Sequence, residues 1–137
     1  MNVNLSDLLQ KHSNLVEIAI RYLKQVHCVI VTEIRGNSSE APDAIGWTFT
    51  GSSTLIECKR TYEDFKLDQL KFSRLFPENG MGQHRFYLSY EGIIPEKELP
   101  KGWGLLEFRG RRVVQVREGK KFTQFNHQNE SAILVST

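Results

Sequence analysis

Cysteine is scarce: Cys28 and Cys58 are the only two in 137 residues. Both sit in apolar, strand-like runs, which excludes a disulfide framework or a cysteine-rich zinc site and suits reduced core thiols. No apolar run approaches the roughly 20 residues that span a bilayer, so a membrane span is excluded. The opening MNVNLSDLLQKHSN lacks the basic segment and apolar core of a secretory signal, and a cytoplasmic location is expected. An excess of one charge is missing too: 18 Lys and Arg against 16 Asp and Glu leave a net charge of +2. That is too little to announce a polyanionic partner, so the distribution of charge must carry that argument. His27, His84 and His127 have no metal-ligand spacing, and His12, inside an apolar helical stripe, reads as a core histidine. The glycines of PENGMGQ lack the pattern of a phosphate-binding loop opening a helix, which removes a nucleoside-triphosphatase reading. No Ser-His-Asp or Cys-His arrangement stands out.

What is present is the periodicity of one α/β domain over residues 1–137, with no repeat and no linker. Leu5, Leu8, Leu9, His12, Leu15, Val16, Ala19, Ile20 and Leu23 recur at helical spacing, with Ser6 placed as an N-cap. CVIVTEIR (28–35) is a β-branched strand ending in the polar loop GNSSEAP. PDAIGWTFTGSSTLIECK (42–59) forms two strands about a Gly-Ser turn. Thr61, with Asp64 three residues on, caps a second helix expected to run to about Phe76 and stop at Pro77. HRFYLSY, WGLLEF and RVVQVRE supply three further strands, the last two meeting at Arg109-Gly110-Arg111. The tail from about residue 120 shows no clean period and predicts at most a short helix or strand. The order α-β-β-β-α-β-β-β predicts a central mixed sheet flanked by helices.

The hairpin carries the chemistry. Residues two apart on a strand share a face, so Glu57 and Lys59 project together while Cys58 points away. With Thr50-Gly51-Ser52 as the loop, Trp47 pairs with Leu55, Ile45 with Glu57 and Asp43 with Lys59, which brings Asp43 to the same face. Converging carboxylates repel, and a hard divalent cation with oxygen ligands, Mg²⁺ or Mn²⁺, relieves that repulsion. Such an ion polarises a phosphoryl oxygen and acidifies water beside a lysine, which fits phosphodiester hydrolysis. Taken alone, Glu-x-Lys on a strand is ordinarily a solvated ion pair worth under about 1 kcal/mol.

Pro42-Asp43 followed by Glu57-Cys58-Lys59 resembles the signature of the PD-(D/E)XK nuclease superfamily. ECKRTYEDFKLDQLKF, HRFYLSY and LPKGWGLLEF are similar to segments of small bacterial DNA-repair-type nucleases of that superfamily, and the resemblance covers roughly residues 15–117. It implies a restriction-endonuclease-like core. It also implies a metal held by Asp43, Glu57 and the Cys58 backbone carbonyl, with Lys59 near the attacking water. An acid on the first helix is implied as a further ligand, for which Glu17 is the positional candidate. Because Glu17 lies off the apolar stripe, Glu33 on the first strand is its rival. Gln69 corresponds to a glutamine that contacts the site in several branches; otherwise it is a helix-surface polar residue.

The expectation is therefore a Mg²⁺-dependent deoxyribonuclease of DNA repair, recombination or defence, leaving a 5′-phosphate and a 3′-hydroxyl. DNA is the expected partner, with RNA also admissible, and so small a domain is expected to act on DNA structure, as a homodimer or beside a partner protein. The alternative is a non-catalytic nucleic-acid- or protein-binding module that keeps the fold. Arg60, Lys66, Lys71 and Arg74 surround the signature, and Arg109, Arg111 and Arg112 form the densest positive region; both groups suit phosphate contacts. For any single arginine of the Arg109–Arg112 region a solvated hairpin turn is the slightly better account, and the residues around the signature suit a polyanion better.

Overall fold

A computed structural model describes residues 4–32 and 42–136 of the chain. Helix α1 (Leu5–Leu23) is capped by Asn4, two residues earlier than the expected Ser6, whose backbone N–H donates to the Asn4 side chain. Six strands follow: β1 (Val29–Thr32), β2 (Ala44–Trp47), β3 (Ser53–Lys59), β4 (His84–Tyr90), β5 (Gly104–Arg109) and β6 (Arg112–Arg117). They form one sheet in the order β1-β2-β3-β4-β5-β6. β3, β4 and β5 run parallel at the centre, and the outer pairs are antiparallel. Every residue of β3 is buried, as expected of a parallel strand covered on both faces.

The sheet separates two cores. On one face Leu15, Val16, Ala19 and Leu23 of α1 pack on Ala44, Ile56, Cys58, Leu88 and Leu106. Each such fully buried leucine contributes roughly 2 kcal/mol. On the other face Ile45, Trp47, Leu55, Tyr87 and Leu105 meet Phe65 and Trp103. Phe65 belongs to α2 (Tyr62–Asp68), capped as expected by Thr61, whose Oγ1 accepts the Asp64 N–H.

Three expectations need correction. The second helix does not run unbroken to Phe76: it stops at Asp68, passes through Gln69–Lys71 with i→i+3 bonds, and restarts as the single turn α3 (Phe72–Leu75). Phe65 is buried, but Phe72 and Phe76 are exposed, because the break turns α3 away from the sheet. Cys28 is exposed just before β1, and Cys58 alone is a core thiol.

The tail is ordered on the end of the sheet away from Lys59. Backbone bonds from Lys120, Phe122 and Asn126 to Gly102, Gln83 and Gly80 lead into helix α4 (His127–Ser136). Buried Glu130 accepts from the Trp47 indole, the Ser53 hydroxyl and the Gly82 N–H, which fixes α4 to β2, β3 and the loop before β4. Among the described residues no helix is long and apolar enough to cross a membrane.

Candidate active site

The hairpin loop is Phe49-Thr50-Gly51, one residue earlier than the expected Thr50-Gly51-Ser52. Gly51 takes the left-handed conformation (φ +89°) at the third loop position, where a type I turn followed by such a residue closes a three-residue hairpin. The observed register is therefore Trp47 with Ser53 and Ile45 with Leu55. Each partner has moved by two, so parity is intact. Asp43 comes opposite Glu57 rather than Lys59, on the same face as both.

That face, at the carboxyl ends of parallel β3 and β4, opens into a cavity of about 400 Å³ walled by His12, Asp43, Glu57, Lys59, Asp68 and Lys71. Ligands in open α/β sheets characteristically bind at such strand ends. Asp43 Oδ2 accepts the Cys58 backbone N–H at 2.8 Å, and Oδ1 lies 3.4 Å from His12 Nε2. His12, expected in the core, thus reaches across from α1 to the site. Burial pushes the Asp43 carboxyl up, but hydrogen bonds from His12, Cys58 N–H and Glu57 more than offset it and hold the pKa below its ordinary value.

Glu57 goes the other way. Burial, and then the Asp43 charge, push its pKa well up against the pull of Arg74, Lys71 and Lys59. A protonated Glu57 donating to an ionised Asp43 satisfies both directions. Glu57 Oε1 is fully buried with no hydrogen-bond partner; Arg74 Nη2 lies 3.3 Å away, at ion-pair distance but without hydrogen-bond geometry.

Asp68 closes the other wall and is saturated. Its Oδ1 takes Lys59 Nζ and Lys71 Nζ, each at 3.0 Å, and its Oδ2 takes Arg74 Nε at 2.7 Å and the Tyr87 hydroxyl at 2.5 Å. Burial pushes Asp68 up, yet the charges of Arg74, Lys59 and Lys71 hold it far below the usual carboxylate range. Tyr87, raised chiefly by burial, stays protonated and remains a donor.

The other sequence candidates separate. Glu17 is exposed on α1 and does not wall the cavity, because the helix phase that buries Val16 and Ala19 turns it outward. Its rival Glu33 lies outside the described residues. Gln69 does not reach the cavity: its amide donates to the Phe65 carbonyl and the Tyr87 hydroxyl, behind Asp68. Arg74 is buried, bonded to Asp68 and stacked over the Trp103 ring at 4.6 Å, so it is not a surface phosphate contact. Arg60 pairs with Asp64 on the cavity rim, and Lys66 sits over the Tyr62 ring. Arg109 is tied to Glu107 and Glu91. Arg111 and Arg112 are exposed and line a separate cavity with Arg21, Tyr22 and Phe108, which shares no wall with the first.

Among the described residues no three His, Cys, Asp or Glu side chains assemble to hold a metal by themselves. The Asp43–Glu57 pair nevertheless fits a hard cation of the magnesium type, which is ordinarily held by one or two carboxylates and keeps water and phosphate oxygens for the rest. The orphaned Glu57 oxygen supplies the unmet acceptor such an ion would satisfy.

Comparison with known proteins adds the fold alone. No protein-family model matches the chain, and no curated protein matches it. A solved protein of unknown function from Silicibacter pomeroyi is similar in structure, with a TM-score of 0.69 and 18% identity, over 98% of this chain and 84% of that one. The likeness agrees with an α/β fold built on a central mixed sheet with flanking helices.

Proposed function

We propose that the chain is a metal-dependent nuclease of the restriction-endonuclease-like type that hydrolyses DNA phosphodiester bonds. The observation that carries this reading is a carboxylate pair with one oxygen unmet: half-buried Asp43 and fully buried Glu57 stand together at the cavity wall, with Glu57 Oε1 lacking a hydrogen-bond partner and Lys59 on the same face. A buried acceptor without a donor costs about 1–3 kcal/mol, so its place beside an open cavity supports a role in binding. When bound there, Mg²⁺ or Mn²⁺ supplies positive charge for the scissile phosphate and acidifies water.

The protein's own groups do the rest. Asp43, kept ionised by its hydrogen bonds, and Glu57, through its unmet oxygen and with its proton passed to solvent, would be the two carboxylates that hold the cation. Lys59, held at 3.0 Å by Asp68, presents an ammonium group of fixed position for a water or a phosphoryl oxygen. Arg60 and Lys71 on the rim oppose the charge of the flanking phosphates. One contact favours the alternative of a non-catalytic module: Arg74 beside Glu57 already supplies part of the charge a cation would bring.

The test is a panel of labelled DNA and RNA structures incubated in Mg²⁺ with wild type, Glu57→Gln and Lys59→Ala. Cleavage by wild type alone supports the nuclease. Cleavage equal in all three marks a contaminant and removes the reading.

A further inference from the structure

The segment that separates the two helical turns after Lys59 presents an apolar surface that the fold does not use. Leu67, Leu70, Phe72, Leu75 and Phe76 are 66%, 71%, 56%, 62% and 46% exposed, all within residues 67–76. Phe72 and Phe76 lie one turn apart with ring centroids at 4.7 Å, so two adjacent aromatic surfaces face outward together. The patch is continuous with the candidate site, because Leu67 and Lys71 belong to the cavity wall.

Charge selects the occupant. Within residues 60–76, Asp68 and Arg74 are buried, Arg60 is matched by Asp64, and exposed Lys71, whose ammonium shares the Asp68 carboxylate with Lys59 and Arg74, stands with Lys66 against Glu63. In a two-fold dimer the same patch would meet itself and bring these lysines toward their own copies. A nucleic-acid strand instead offers phosphates to the lysines and flat apolar faces to the rings. A duplex hides those faces by stacking, whereas unpaired bases expose them and stack on aromatic side chains with little regard for sequence.

Resting on the nuclease reading of the cavity, we propose that Phe72 and Phe76 form a stacking platform for unpaired bases, so that the substrate class is a single-stranded stretch led past Lys71 into the site. A free strand, flap, gap or frayed end qualifies; an intact duplex does not.

The experiment measures binding of the whole chain in EDTA, where no cleavage occurs, to labelled oligothymidylate, oligouridylate and an abasic deoxyribose-phosphate strand of equal length. Wild type is expected to prefer a base-bearing strand over the abasic one by on the order of tenfold or more. The double variant Phe72→Leu with Phe76→Leu, which keeps apolar area but loses the rings, is expected to bind base-bearing and abasic strands alike. Phe72→Trp should keep the preference and show indole quenching on base-bearing strands. Stacking on either strand supports the proposal. No base preference in wild type, or a preference that survives the double leucine variant, overturns it. So does a dimer in sedimentation with base-bearing and abasic strands bound equally, which would make the patch a self-association face. Base-dependent binding without cleavage in Mg²⁺ leaves this inference standing and removes the nuclease, and cleavage without base-dependent binding does the reverse.

Discussion

Asp68 and Glu57 are buried carboxylates on the same side of one sheet, yet they live in opposite conditions. Asp68 has donors on both oxygens and a depressed pKa; Glu57 has an orphaned oxygen and a raised one. The saturated group is architecture, since it ties β3, β4 and α3 together. The starved group is the one with an acceptor the fold leaves unmet.

The largest effect should come from breaking the saturated side. Asp68→Ala strands Arg74 and Lys59 without their common acceptor and should cost about 3–5 kcal/mol in urea unfolding; a loss under about 1 kcal/mol would show that Asp68 is not the anchor. Its depressed pKa means that its contribution is present above the unfolded carboxyl value and is lost as pH falls below it. The acid limb of wild-type stability should therefore flatten in Asp68→Asn, measured as unfolding free energy against pH.

Next in size is Lys59→Ala, expected to lower cleavage on the order of a hundredfold while leaving oligonucleotide binding in EDTA within a few-fold. Equal losses in both would demote Lys59 to a binding contact. Glu57→Gln should act with the opposite sign on stability. The raised Glu57 pKa gives stability that is full below the unfolded value and lost as pH climbs toward the folded one, so the amide should stabilise the metal-free protein at neutral pH by about 1–2 kcal/mol. The same variant should lose Mn²⁺ binding by calorimetry. A Glu57→Gln protein that is less stable and still binds Mn²⁺ would erase the contrast between the two carboxylates. The smallest effect belongs to the β5–β6 turn: Arg112→Ala should reduce the slope of log K against log salt by about 1 if that groove touches phosphates, and leave it unchanged otherwise.

Much of this arrangement was legible because it is local. Strand alternation put Asp43, Glu57 and Lys59 on one face, and an error of one residue in the loop did not disturb it, since both partners shifted by two and parity survived. The Thr61 cap depends on residues three apart and was equally readable. What escaped was set by distant partners. Phe72 and Phe76 keep helical spacing with Phe65, but the helix breaks between them at Gln69–Lys71, just after Asp68 is fixed by Lys59 of β3 and Tyr87 of β4. His12 looked like a core residue because the apolar stripe around it was visible and Asp43, 31 positions away, was not. Arg74 carried the ordinary signature of a surface cation; the Trp103 ring and the Asp68 and Glu57 carboxylates, brought to it by the fold, accompany its burial.

Asp68 Oδ1 is shared by two ammonium groups, one deep in the strand and one on the rim. Sharing divides its pull, so the two lysines act as weights on a balance. An anion arriving at the rim that draws Lys71 outward leaves that oxygen to Lys59 alone, tightening the inner group at the moment the outer one is engaged.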